Sequence, residues 1–241
     1  KTKSAYLAQY YRAKNLRLAA LISGGKDSLY AAYIMAKQNY ELNCAVTMKS
    51  TNPSSYMFHT PNIHMVHMQT KSMGIPLLTQ ETKGDKEKEI KDLEKVLKLA
   101  QKKYHIEGIV SGALYSEYQR ERIEKVAEKL GLKVFAPLWH KDQAQELQEL
   151  EKLGFSFMLS SVAAEGLDKS WLGRVLEKKD MEKLMVLAQK HGLNPAFEGG
   201  EAESLVLNCP LFKKKIIVDK GIIIMENSCT GIYNVTKAHL E

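Results

Sequence analysis

The sequence predicts an α/β fold: a parallel sheet with helices on both faces, followed by a smaller α+β domain with antiparallel strands. Three observations carry this. Short apolar runs alternate with amphipathic helical patterns from Leu16 to Leu138. The alternation breaks near Trp139, and the last forty residues are strand-rich.

The elements follow in order. Leu16–Ile22 is apolar enough for a strand buried on both faces, and Leu29–Gln38 reads as the helix after it. Asn43–Thr47 is a second short strand. NPSSYMFHTP, residues 52–61, is polar with prolines near both ends and reads as a loop. Residues 62–73 read as a helix closed by Gly74 and Pro76, with a strand over Pro76–Thr79. In residues 84–104, Ile90, Leu93, Leu97, Ala100 and Tyr104 recur at spacings of three and four, which gives a helix one apolar face. A strand over Ile106–Ser111 follows. The next helix, Tyr118–Leu130, turns Ile123, Val126, Ala127 and Leu130 inward and stops at Gly131. Lys133–Ala136 is the next strand. Beyond Trp139, helices at 142–153 and 180–191 flank the strand-like FSFMLSSV. Lys215–Val218, the turn DKG and Ile222–Met225 read as a β-hairpin.

Strands alternating with helices imply right-handed crossovers, and the ligands of such sheets bind beyond the carboxyl ends of the strands. SGGKDS (23–28), TMKST (47–51) and SGALYSEYQ (111–119) each follow a predicted strand, so all three are expected to open onto one crevice.

Composition narrows the class. Apolar residues make up 44% and charged residues 26% of 241, as in a globular protein with a sizeable core. No apolar stretch approaches the ~18 residues of a membrane span, and the first residues hold no secretory apolar core, so a cytoplasmic location is expected. Net charge is +7, concentrated in residues 1–138, where 22 Lys+Arg face 13 Asp+Glu. That half suits nucleic acid or a polyphosphate. No arginine-rich tract or basic–aromatic interleaving is present, and stable nucleic-acid binding is not expected. Cys44, Cys209 and Cys229 are unpaired in spacing and read as small buried thiols rather than a zinc site or disulfide framework.

SGGKDS has the ingredients of an anion site. Gly24 and Gly25 allow consecutive N–H groups to converge, and the helix behind them offers the positive end of its dipole. Lys26 adds charge, and Ser23 and Ser28 add hydroxyls. Asp27 repels phosphate unless a cation lies between, which points to Mg²⁺, or else it caps the helix. The string fits neither the Walker nor the dinucleotide pattern.

SGGKDS is similar to the PP-loop of the ATP pyrophosphatases, which cleave ATP between the α and β phosphates. With SYMFHT (55–60), SGALYSEYQRER (111–122), GLDKSWLGRVL (166–176) and FEGGEAESLVLNCPLF (197–212), the chain from about Leu18 onward resembles the diphthine–ammonia ligase family. The resemblance implies a HUP-like, adenine nucleotide alpha hydrolase-like PP-loop ATP-binding domain over 1–138 and an α+β substrate-binding domain over 139–241. It implies amidation of diphthine on elongation factor 2 to diphthamide, with ammonium and ATP consumed and AMP and pyrophosphate released through an acyl-adenylate. ATP and Mg²⁺ are the expected cofactors, elongation factor 2 the protein substrate, and homo-oligomerisation is left open.

On this resemblance Ser23, Gly24, Gly25, Lys26, Asp27 and Ser28 bind the β and γ phosphates, with Asp27 the metal ligand and Lys26 and Asp27 catalytic. Thr47 and Met48 hold adenine through backbone groups. His59 reaches the nucleotide, Gly112 and Ala113 let a ligand approach a strand end, and Gln119 joins them. Arg122 neutralises the α-phosphate, or else pairs with a nearby helix glutamate. Glu198, Gly199, Gly200, Glu201 and Glu203, with an aromatic such as Tyr118, Phe197 or Trp139, are assigned to the trimethylammonium-bearing acceptor, and Ser204 and Asn208 to hydrogen bonds with it. Two departures fall on this side: Ala202 where the family usually has an aromatic, and Asn208 where it has Asp. Three rival readings stand beside this one: a PP-loop tRNA-modifying enzyme of thiolation or lysidine type, a non-catalytic nucleotide-binding regulator, and a ligase that amidates a small molecule, since other ammonia-using ligases share SGG-x-DS.

Overall fold

A computed structural model describes residues 16–50, 61–83 and 86–241 of the chain. The first sheet holds five parallel strands in the order β3-β2-β1-β4-β5. They are β1 (Arg17–Leu21), β2 (Glu41–Ser50), β3 (Leu77–Thr82), β4 (Gly108–Val110) and β5 (Lys133–Phe135). The helices between them are α1 (Lys26–Lys37), α2 (Val66–Met73, entered through a 3₁₀ turn at Ile63–Met65), α3 (Lys86–Tyr104) and α4 (Glu117–Leu130). Strand order reverses at β1, the position where open α/β sheets bind ligands.

Both faces of the sheet are covered, which explains the unbroken apolar run in β1. Leu18 and Ala20 join one core cluster, with Val110 and Tyr30. Ala19 points the other way, onto Leu93, Leu97, Ile123 and Val126 of α3 and α4. The apolar stripe expected on α3 buries Leu93, Leu97 and Ala100 fully and Ile90 and Tyr104 partly.

After α5 (Gln143–Lys152) the chain builds a four-stranded antiparallel sheet, ordered β7-β6-β9-β8. Its strands are β6 (Ser156–Ala163), β7 (Ala202–Asn208), β8 (Ile216–Met225) and β9 (Thr230–Leu240), with α6 (Lys178–His191) between β6 and β7. The expected parallel sheet and antiparallel unit are both present. They share one core: Phe157, Leu159 and Val206 of the second sheet lie in the same cluster as Leu18 and Ala20.

Two expectations are corrected. DKG is not a hairpin turn: β8 runs unbroken through it, and its partner strand returns after a turn closed by Glu226 N–H to Thr230 O at 2.8 Å. Gly221 is needed for close approach, because a Cβ there would lie 2.2 Å from the Tyr233 ring, and the register irregularity around Lys220 is a bulge. Cys44 and Cys209 are buried free thiols, but Cys229 is only half-buried in that turn, where its N–H donates to Asn227.

GLDKSWLGRVL is architectural. Trp171 is buried, Asp168 Oδ1 accepts from Ser170 N–H at 2.8 Å, and Arg174 makes a two-point ion pair with Asp180 at 2.7 and 2.8 Å.

Candidate active site

β1 ends and SGGKDS begins where the chain leaves the sheet, one bond after Ile22 N–H reaches Val46 O at 2.9 Å. Gly24 takes φ +93, a backbone that side-chain-bearing residues avoid. Its carbonyl accepts from Val206 N–H and from Gln69 Nε2, both at 3.0 Å, and Gln69 Nε2 also donates to Val206 O at 2.8 Å. Gly25 is the N-cap of α1 and carries no capping side chain. The missing cap comes from β7: Ser204 Oγ accepts from Lys26 N–H at 3.0 Å. Gly24 and Lys26 of the expected phosphate loop are thus tied to the second sheet. Ser204, assigned by resemblance to the acceptor, is instead the cap.

The loop's own hydroxyls meet its backbone more loosely. Ser23 N–H faces Ser28 Oγ at 3.3 Å and Gly25 N–H faces Ser23 Oγ at 3.4 Å. Bonds this long are readily exchanged for bonds to an anion.

Lys26 departs from the picture of an outward phosphate ligand. Its side chain is 1% exposed and its Nζ lies 2.5 Å from Asp27 Oδ1 and 3.4 Å from Glu146 Oε1, with the Phe197 ring centroid at 5.9 Å. Burial lowers the lysine pKa, but Asp27 and Glu146 outweigh it and hold the ammonium above its ordinary value. Glu146 is fully buried with Oε2 unpartnered; burial first, then Asp27, pushes its pKa up to about 9. Asp27 is the nearer counter-ion of Lys26, and burial favours the protonated form of Glu146. The sequence reading passed over Glu146. Its one signal was a carboxylate four residues before Leu150, on the apolar face of α5.

The carboxyl ends of β1, β2 and β4 enclose a cleft of ≈ 1050 Å³, counted to its open mouth. Ser23, Asp27, Ser28, Thr47, Met48, Gly112, Ala113 and Gln119 line it, as do Glu198 and Glu203. The three loops expected to converge do so. Thr47 is 4% exposed and its Oγ1 has no partner, an orphaned polar atom on the cleft wall. Gly112 allows an approach, but of protein rather than ligand: a Cβ there would meet Ser28 N at 2.6 Å and Asp27 C at 2.7 Å. Gln119 is placed by its own cap, its N–H donating to Ser116 Oγ at 3.3 Å.

Glu198 and Glu203 reach the cleft from FEGGEAES. Burial, then the negative charge of Asp27, raises both, Glu203 to about 7. Glu201 does not line the cleft. It folds over Gly199 and accepts from Asn194 N–H at 2.8 Å, with its other oxygen buried and unpartnered. Gly200, at φ +82, turns the chain, its N–H bonding Phe197 O at 3.0 Å. Arg122 and Tyr118 also lie off the cleft lining, with the guanidinium 3.3 Å from the Tyr118 ring centroid and Nη1 donating to Tyr118 O. His59 lies outside the described residues. Among the described residues no group of three or more His, Cys, Asp and Glu side chains is arranged to hold a metal, and no helix is long and apolar enough to cross a membrane.

The site is that of an α/β enzyme with a glycine-rich loop after the first strand and an acidic wall supplied by a second sheet. Residues 16–134 match the family model described as diphthamide synthase N-terminal domain, and residues 142–240 that of the diphthamide synthase C-terminal domain. The chain belongs to the diphthamide synthase family. A human protein named diphthine–ammonia ligase is 34% identical over 232 residues, covering 88% of this chain and 86% of its own length. The mouse protein of that name is 34% identical over 249 residues, covering 94% and 93%. That of Schizosaccharomyces pombe is 31% identical over 242 residues, covering 92% of this chain and 39% of its own length. A solved structure, titled as a predicted subunit of tRNA methyltransferase from Methanocaldococcus jannaschii, aligns over 81% of this chain and 98% of its own at 16% identity. Its TM-score of 0.43 is too low to bear on function. The chain is a PP-loop ligase forming a carbon–nitrogen bond in diphthamide biosynthesis.

Proposed function

We propose that this chain converts diphthine on elongation factor 2 to diphthamide, using ammonium and ATP in the cytoplasm. One observation supports it above the rest: Asp27 and Ser28 of SGGKDS line the same cleft as Glu198 and Glu203 of FEGGEAES, far along the chain. Nucleotide and cationic acceptor would then meet in one place.

A carboxylate resists ammonia because oxide is a poor leaving group. Making it an acyl-adenylate replaces oxide by AMP, and ammonia then displaces AMP. The enzyme's part is to align the carboxylate with the α-phosphate and to stabilise charge on departing pyrophosphate. In this reading Ser23, Ser28 and the N-terminal N–H groups of α1 hold the β and γ phosphates. Mg²⁺ suits Asp27, a cleft-lining carboxylate, because this ion binds through one or two carboxylates plus substrate phosphates rather than an all-protein cage; when bound, it neutralises phosphate charge. Adenine lies against Thr47 and Met48, where the orphaned Thr47 hydroxyl finds a partner. Gly112, Ala113 and Gln119 complete the nucleotide wall. Arg122 reaches the α-phosphate only by leaving the Tyr118 ring. The division into an ATP-binding part, 1–138, and a substrate-binding part, 139–241, belongs to the same proposal.

The experiment combines the protein with ATP, Mg²⁺, ammonium and elongation factor 2 carrying diphthine, and weighs the factor by mass spectrometry. The expected product is lighter by the difference between a hydroxyl and an amino group, with one AMP formed per amide. An unchanged mass from protein that binds ATP would refute the reading.

A further inference from the structure

We propose that Tyr115 and Glu198 form the subsite for the acceptor's quaternary ammonium group, an inference that rests on the diphthine reading above. A trimethylammonium group has no proton to donate. It is held by charge and by the negative face of an aromatic ring. In diphthine it sits on the carbon bearing the carboxylate, so its subsite must adjoin the place where that carboxylate meets the nucleotide.

The three aromatic residues that the resemblance offers for the acceptor already face internal cations. Phe197 has Lys26 Nζ at 5.9 Å, Tyr118 has the Arg122 guanidinium at 3.3 Å, and Trp139 has that of Arg120 at 4.5 Å. Tyr115 is different. It is 40% exposed, and its N–H donates to Glu198 Oε2 at 3.4 Å. Glu198 itself lines the cleft with Asp27 and Ser28.

The ring is also held in place. Its hydroxyl donates to Lys141 O at 3.0 Å, and its edge contact with His140 has centroids 5.2 Å apart at 75°. His140 in turn packs against Trp139 at 4.8 Å and 88°. His140 takes a positive φ of 57, a costly backbone that sets this corner. The row Arg120, Trp139, His140, Tyr115 thus begins with a cation and ends in an exposed aromatic ring, on a residue whose backbone N–H bonds a cleft carboxylate. That carboxylate has a raised pKa, chiefly from burial, and an arriving cation would relieve its buried charge.

The test is amidation kinetics of Tyr115→Leu, Tyr115→Phe and Tyr115→Trp, with tetramethylammonium chloride as competitor and tert-butanol as its neutral counterpart. Tyr115→Leu is expected to raise the acceptor KM roughly tenfold, leaving the ATP KM unchanged. Phe and Trp should keep the wild-type acceptor KM. Tetramethylammonium should inhibit the wild type competitively against the acceptor and Tyr115→Leu far less, while tert-butanol inhibits neither. An unchanged acceptor KM in Tyr115→Leu, or equal inhibition of both proteins by tetramethylammonium, overturns the subsite while leaving the amidation reading intact. No amidation by the wild type overturns the reading and the subsite together.

Discussion

Ser204 Oγ lies 3.0 Å from the backbone nitrogen of Lys26 and caps a helix whose own N-cap is a glycine. The contact joins β7 to the first turn of α1 and fixes where the PP-loop stands relative to the acidic wall. Ser204→Ala leaves the buried Lys26 N–H without its partner. We expect a loss of about 1 kcal/mol in unfolding free energy, measured by urea denaturation, and a raised KM for ATP. A variant as stable as wild type would show that the cap bond is not formed in solution.

Lys26 and Glu146 predict opposite sensitivities. Lys26→Met strips the charge that balances Asp27 and should cost about 3–5 kcal/mol and abolish pyrophosphate release. Glu146→Gln replaces a neutral acid by a neutral amide of the same shape and should cost less than about 1 kcal/mol. Equal losses in the two variants would mean that Glu146 is ionised and shares the pair.

The same carboxylate sets a pH dependence. Glu146 keeps its proton in the fold up to about 9, whereas its ordinary value is 4.5, so the folded state binds more protons between those limits. Stability therefore falls as pH rises through that window, by at most ~1.4 kcal/mol per pH unit for one proton. Glu203, raised to about 7, adds to the fall only on the acid side. Urea midpoints at pH 7 and pH 9 should differ in the wild type, and the difference should shrink in Glu146→Gln. An identical pH slope in both proteins would remove Glu146 as its source.

Gly112→Ala drives a methyl group into the backbone of Asp27 and Ser28, which cannot rotate away. We expect destabilisation of about 1–3 kcal/mol and weakened ATP binding. Titration with a fluorescent ATP analogue checks the second effect. Gly131→Ala, where nothing lies within 4 Å of the new carbon but φ is +66, serves as the comparison: it should strain the backbone and spare ATP binding.

The parallel sheet was legible because its signal is local. The run into SGGKDS, the stripe of α3 and the inward face of α4 each depend on residues a few positions apart. The crevice followed from topology, since loops after parallel strands share an edge, and Ser23, Thr47 and Gln119 do line it. What escaped was made by contacts between distant segments. Lys26 reads as an exposed loop cation until Glu146 and Phe197 close over it. Ser204 reads as an acceptor ligand until β7 is laid against α1. Gly221 reads as a turn glycine, although its cause is the Tyr233 ring on the neighbouring strand. Arg122 shares a helix with Gln119, yet its long side chain folds back on Tyr118, which spacing alone does not reveal.

The central claim is that the cleft activates the acceptor carboxylate with the α-phosphate of ATP. Diphthine whose carboxylate carries heavy oxygen tests it directly. With ammonium and unlabelled ATP, the account predicts one labelled oxygen transferred to the phosphate of AMP for every amide formed. Amide formed with unlabelled AMP, or with ADP as the product, would contradict it.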